Sequence, residues 1–377
     1  GASSGYASAS GEGSAISADG KVIVTGADAA RYVTGYGDTT TLHGAAYVYE
    51  KDGSTWSQTH FLEDSVSSSP TKNGTNRRFG RVTSISGDGN TICISNQKDS
   101  DTNFINGAIH VFNRDSALDP DGFTFAQKLL FPKGTAAEAP STAVSNDGGS
   151  ILAAWRGDIA YYYTKNQFGT YSISQNITLP QFQNNGSVSD HIVAMTPDAS
   201  YAAFANPTSG NTVVSRAQAS SVGVSNILVD SAEKFTIGQT LYSGSFENAN
   251  YDDRDANLTD GTTVINIPAS NQLTISSPNI GTWDGSNYVF GYTDETGGVD
   301  MFAFKEGNWT HQETLYPSDG REGTRMGRSI DINDRGDIVV VGANRSSFTE
   351  VANDTVGAYI FERGGTNWTE VNILRPQ

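Results

Sequence analysis

Residues 79–95, FGRVTSISGDGNTICIS, decide the fold. An alternating stretch around Thr83 to Ile85 runs into an Asp-Gly turn at Asp88-Gly89, and a second stretch rich in β-branched residues leaves it. Alternation puts every second side chain on one face, and a tight turn between two strands needs glycine's positive φ, so the segment is a β-hairpin. The hairpin recurs in GEGSAISADGKVIVTGA (11–27) and MGRSIDINDRGDIVVVGA (326–343). It returns in weaker form in STAVSNDGGSILAAW (141–155) and DHIVAMTPDASYAAFA (190–205).

Two more strands follow each hairpin at a variable distance. The third reads GAAYVYEKDG (44–53), GAIHVFNRD (107–115), GDIAYYYTK (157–165), GVDMFAFKEG (298–307) and GAYIFERGG (357–365). The fourth reads TWSQTHFL (55–62), FTFAQKLLFP (123–132), TYSISQNITLP (170–180), NWTHQETLYP (308–317) and NWTEVNILRP (367–376). Four antiparallel strands returning every roughly 50–70 residues are the mark of a β-propeller blade, and neighbouring blades bury the two faces that a lone sheet leaves open. The expected class is therefore all-β: a propeller of four-stranded antiparallel blades, about five to seven of them, with a small β insertion. Abundant Gly, Ser, Thr, Asn and Asp support strands and turns over helices.

The order Phe-Gly, strand, Ser-x-Asp-Gly, strand, Gly-Ala, loop, Gly-Ala-x-Tyr, loop, Trp resembles the FG-GAP repeat of integrin-α-type propellers. Phe79-Gly80, Gly26-Ala27, Gly342-Ala343, Gly44-Ala45 and Gly357-Ala358 carry the resemblance. It implies extracellular protein contacts and calcium in loops of alternating acids. Residues 1–10, small and uncharged, form an N-terminal arm expected either to pair with the last blade and close the ring or to add as a strand to a neighbouring subunit, and a chain opening at Gly1 without an apolar leader is expected to be processed. Residues 11–221 supply the first blades, 222–278 an inserted β module and 279–377 the last blades. TWDGSNYVFGYTDE, from Thr282, either opens a further blade or completes an interrupted fourth.

The formal charge of −17 excludes the basic footprint of nucleic-acid binding, and no apolar run is long enough to span a bilayer. The single cysteine, Cys93, alternates with Ile92 and Ile94 and reads as a core side chain. His43, His60, His110, His191 and His311 show no metal spacing, and no nucleophile elbow or phosphate loop is present. Asp331 stands on an innermost strand where the other repeats carry Ala15, Ser84, Ala143 and Ala194, so it lacks the second carboxylate that glycoside hydrolysis needs. The expectation is a non-enzyme.

Several residues remain as binding candidates. Arg335-Gly336-Asp337 spells an adhesion tripeptide, but Gly336 falls where Gly20 and Gly89 fall, which makes it first of all a turn. Asp253, Asp255, Asn257 and Thr259 have the alternate spacing of a calcium loop, without the closing acid at Val264. N-glycosylation sequons begin at Asn73, Asn176, Asn185, Asn257, Asn308, Asn344, Asn353 and Asn367. Glu12, Arg81 and Arg328 share one register on innermost strands and are expected to cluster in a salt bridge if the ring closes. Trp155 and Tyr161 to Tyr163 could stack on sugars, although strand alternation favours the blade core.

The expected function is a secreted structural or adhesive propeller glycoprotein, the repeating subunit of a surface fibre or coat. Self-association would run through edge strands, the N-terminal arm or the inserted module. Two alternatives stay open: a carbohydrate-binding or carbohydrate-cleaving propeller, and an integrin-like adhesion module.

Overall fold

A computed structural model describes residues 13–28, 44–64, 78–99, 106–114, 122–130, 140–154, 159–180, 192–207, 211–232, 235, 239–244, 257–259, 262–293, 296–318, 324–343 and 357–375. Among these residues the regular elements are β-strands, and five four-stranded antiparallel sheets follow one another along the chain. The first blade holds β1 (Ser14–Ile16), β2 (Val22–Ala27), β3 (Ala45–Asp52) and β4 (Thr55–Leu62). The second holds β5 (Thr83–Ile85), β6 (Thr91–Asp99), β7 (Asn106–Arg114) and β8 (Phe123–Leu130). The third holds β9 (Ser141–Val144), β10 (Ser150–Ala154), β11 (Ile159–Lys165) and β12 (Tyr171–Thr178).

The fourth blade begins with β13 (Ile192–Met195) and β14 (Tyr201–Asn206) and is then interrupted. The insertion contains β15 (Asn211–Arg216), β16 (Asn226–Leu228), β17 (Thr240–Gly244), β18 (Val264–Ala269), β19 (Gln272–Ile275) and β20 (Tyr288–Thr293). These form two three-stranded sheets, ordered β15-β20-β17 and β16-β19-β18, around a separate core that includes Ile227, Phe235, Leu241, Leu273 and Trp283. The strands β15 and β20, which flank 222–278, pair with each other along their whole length. The Thr282 stretch thus supplies a strand of the insertion, and blade four is completed by β21 (Gly298–Lys305) and β22 (Asn308–Leu315). Blade five holds β23 (Met326–Ile332), β24 (Ile338–Ala343), β25 (Ala358–Gly364) and β26 (Asn367–Leu374).

The innermost strands β1, β5, β9, β13 and β23 pack in turn, which winds the blades around an axis. The fold is a β-propeller. Each joint has its own apolar core. Val24, Val48 and Leu62 meet Ile92 and Phe112 between blades one and two, and Cys93 and Val111 meet Ile151, Tyr161 and Tyr163 between two and three. Leu152 and Tyr162 then meet Phe204, Phe302 and Trp309, while Ala203 and Met301 meet Val339, Val341 and Tyr359. Alternation explains the arrangement: successive residues of one strand serve the joints on opposite sides of the blade.

A second, polar device repeats at these joints. The first or second residue of each fourth strand is an aromatic: Trp56, Phe123, Tyr171, Trp309 or Trp368. In four blades a cation from the paired third strand lies over it, Lys51 at 5.9 Å, Arg114 at 4.4 Å, Lys165 at 5.4 Å and Arg363 at 6.0 Å from the ring centroid. The preceding blade then holds the backbone beside that ring. Gln127 accepts the Tyr171 N–H at 2.7 Å and donates to its carbonyl at 2.9 Å. Gln175 does the same for Trp309, at 2.7 and 2.9 Å, and Glu313 accepts the Trp368 N–H at 3.0 Å. Backbone groups at a strand edge are satisfied this way by a side chain of the next sheet.

Candidate functional site

The hairpins between first and second strands share one polar turn. The hydroxyls of Ser17, Ser145 and Thr196 each donate to the aspartate two residues on, Asp19, Asp147 and Asp198, at 2.7 Å. Ser86 binds Asp88 in the same manner. Each hydroxyl also accepts the N–H five residues later, from Val22, Thr91, Ser150 or Tyr201, at 2.9–3.0 Å. These are side-chain turns of the kind Ser, Thr and Asp build locally.

The hydrogen bond from Ser17 holds the Asp19 carboxyl below its ordinary value, and the bond from Ser145 does so for Asp147. Burial pushes Asp198 upward, but bonds from Ser200 and Thr196 outweigh it and leave the group lowered. A cavity of about 410 Å³ lies between the hairpins of blades three and four, lined by Asp147 and Asp198 among others. In each carboxylate Oδ1 accepts the hydrogen bonds of its own turn.

The adhesion tripeptide sits in the fifth of these hairpins. Asn333 replaces the hydroxyl residue, and its side-chain oxygen accepts the N–H groups of Asp337 and Ile338, both at 3.0 Å. Gly336 is buried with φ +64°, and a Cβ there would collide with the ring of Tyr201 in blade four. Arg335 is exposed and its Nε lies 3.6 Å from Asp337 Oδ2, while Asp337 Oδ1 takes a 2.6 Å bond from Asn333. The arginine and aspartate face each other across the turn, and the glycine is a joint residue.

Of the expected Glu12, Arg81 and Arg328 cluster, the two arginines are described. Arg81 Nη1 lies 3.6 Å and Arg78 Nη1 3.5 Å from the buried carboxylate of Asp28. Arg328 is half-buried, and its Nε has no hydrogen-bond partner among the described residues. Glu12 lies outside them. Two aspartate–histidine pairs, one buried and one with a half-buried histidine, escaped the sequence reading. His110 Nδ1 lies 3.8 Å from Asp64, and His311 Nε2 lies 3.4 Å from Asp300. His110 and Asp300 occupy one register on third strands, but the letters differ, so the repeat concealed the position.

Asp253 and Asp255 lie outside the described residues. Asn257 and Thr259 are described, and their backbone carbonyls accept bonds from Ile280 and Thr262, both at 3.0 Å. Among the described residues no cluster of three or more His, Cys, Asp or Glu could hold a metal ion. Of the sequon asparagines, Asn176, Asn308 and Asn367 are exposed and Asn257 is half-buried, while Asn73, Asn185, Asn344 and Asn353 lie outside the described residues. Asn308 and Asn367 open equivalent strands, β22 and β26.

Tyr161, Tyr162 and Tyr163 are all buried in joint cores, so none presents a sugar-stacking face; Trp155 lies outside the described residues. Cys93 is buried, and burial pushes its thiol up to about 12. Asp331 is exposed on β23 opposite Val340. Among the described residues no helix is long and apolar enough to cross a membrane.

Fold and repeat together define a β-propeller assembled from one recurring four-stranded unit. Residues 309–361, from β22 into β25, match the family model of the FG-GAP repeat. No curated protein matches the chain by sequence. Solved structures similar to it include the β-propeller domain of Cps50 (Swd1) from Myceliophteria thermophila, at 7% identity and TM-score 0.37, over 97% of this chain and 86% of that one. The periplasmic gluconolactonase PpgL of Pseudomonas aeruginosa is similar at 13% identity and TM-score 0.37, over 96% and 84%. A putative TolB from Agrobacterium tumefaciens is similar at 11% identity and TM-score 0.39, over 98% and 82%. Likeness at this level bears on neither activity nor ligand.

Proposed function

We propose that the protein is a non-enzymatic, extracellular structural or adhesive propeller glycoprotein, working as a repeated subunit of a surface fibre or coat. The observation that supports this most is the placement of two sequons. Asn308 and Asn367 stand exposed at equivalent turns on the rim, each next to a buried tryptophan, Trp309 and Trp368. A glycan there would project into water without disturbing a joint. The acidic, well-solvated surface fits the same setting.

The test is mass spectrometry of glycopeptides from native cell-surface material, with electron microscopy of the same sample. Sugar on Asn308 or Asn367 in polymeric material is the expected result. Unmodified protein recovered from inside the cell would overturn the reading.

A further inference from the structure

Among the described residues, the two end blades have no blade packed on the side where every inner blade has one. Residues that pair with β1, β5, β9, β13 and β23 at one register are Val24, Cys93, Leu152, Ala203 and Val340. The first four are 0% exposed and Val340 is 38% exposed. At the far end of the fourth strand, Leu62, Leu129, Ile177 and Leu315 are at most 5% exposed, and Leu374 is 49%. Blade five therefore presents, bare, the face that each earlier blade lays on its successor.

Blade one bares the opposite face. The aromatic that opens the fourth strand is covered by the preceding blade in Phe123, Tyr171, Trp309 and Trp368, all at most 7% exposed, whereas Trp56 is 38% exposed. The hairpin glycines agree. A Cβ on Gly89, Gly148 or Gly336 would touch Val22, Thr91 or Tyr201 of the blade before, and one on Gly20 would touch nothing within 4 Å. Among the described residues β23 makes no packing on β1 comparable to that between successive innermost strands.

These faces match each other in kind. Between blades one and two, Glu50 binds Arg114 with Oε1 and Nη2 3.0 Å apart. The register of third and fourth strands makes Glu362 the equivalent of Glu50, and Lys51 the equivalent of Arg114. Asn372 likewise takes the position of Gln127 and Gln175, whose amides hold the backbone beside the next aromatic. Blade five thus carries an acid, an amide and exposed apolar side chains, and blade one carries a cation, a bare tryptophan and an open turn.

We infer that blade five of one chain docks on blade one of a second copy, through Glu362–Lys51 and Asn372–Trp56 contacts, as one more propeller joint. Repeat arrays need polar caps to stay single, and these ends have apolar ones. The contact is heterologous, one face against a different face, so it propagates head to tail. The inference deepens the proposed subunit role and rests on it, but it concerns which surfaces join.

The test is zero-length carbodiimide cross-linking of the purified chain, with ¹⁴N and ¹⁵N protein mixed before reaction. The reagent couples a carboxylate to an amine only where they already touch. A Lys51–Glu362 peptide with one light and one heavy half, found in dimer and higher bands, is the expected result. Lys51→Glu is expected to weaken association about tenfold, and adding Glu362→Lys to restore it, which separates a charge effect from misfolding.

A cross-link with both halves always of one label would mean that the ring closes within the chain, and no cross-link would mean that the faces do not meet. Either overturns the inference. Polymers in native material without this cross-link would sink the joint and leave the subunit reading standing. The cross-link without surface glycoprotein would do the reverse.

Discussion

Gly336 and Gly20 occupy the same turn, with φ +64° and +66°, yet their surroundings differ. Alanine at Gly20 meets only the left-handed backbone cost, about 1 kcal/mol. At Gly336 it must also displace the Tyr201 ring, on which the Arg363 guanidinium rests at 4.2 Å, and a total of about 3 kcal/mol is expected. Thermal melts of the two variants give that contrast, and equal losses would contradict the packing at Gly336. Cys93 gives a second check. With its thiol at about 12, native protein should resist alkylation at neutral pH and react only when unfolded.

The turn aspartates set a pH dependence. Asp19, Asp147 and Asp198 are lowered in the fold relative to about 3.9 for an unfolded aspartate. A carboxyl lowered on folding stabilises fully above its unfolded value and loses that contribution as pH falls through its folded value. The melting temperature should therefore drop below about pH 4, and Asp147→Asn with Asp198→Asn should flatten that drop while lowering the neutral plateau. The turns themselves were legible because their chemistry is local: Ser or Thr, one residue, Asp, then Gly in all but the fourth, where Ala199 stands. The Asp28 site with Arg78 and Arg81 was not, since the chain separates its members and only folding brings them together.

Among the elements, the joints depend on single side chains reaching across blades. Gln175→Leu keeps volume near the site but leaves the Trp309 N–H and carbonyl without their partner. A loss of about 2 kcal/mol is expected, measured by denaturant unfolding. A neutral result would show that water replaces the amide. Five hairpins and their third and fourth strands could be read from alternation and turn letters alone. Gln127 and Gln175 could not, because a polar residue in a strand reads as solvent-facing until the next blade is known. The insertion's outer pair, β15 and β20, was hidden for a related reason. They pair across the whole intervening insertion, beyond the reach of local letters.

At the scale of the molecule, five similar sheets make four joints among the described residues, and two faces are left at the ends. The repeat explains both the cohesion and the exposure: each blade carries one face for its predecessor and one for its successor. The four-stranded repeat was legible across most of the chain, and the FG-GAP family match on 309–361 falls where blades four and five meet. What the letters did not disclose was the state of the ends, because Trp56 and Val340 are the same residue types that are buried elsewhere. Only geometry separates a covered tryptophan from a bare one.

Electron-microscopic class averages of the purified chain, collected over a range of concentrations, test the open-ended propeller most directly. Dilute particles should show five lobes with a single gap, and concentrated ones should join gap to gap, blade five against blade one. Closed rings without a gap at every concentration would contradict it.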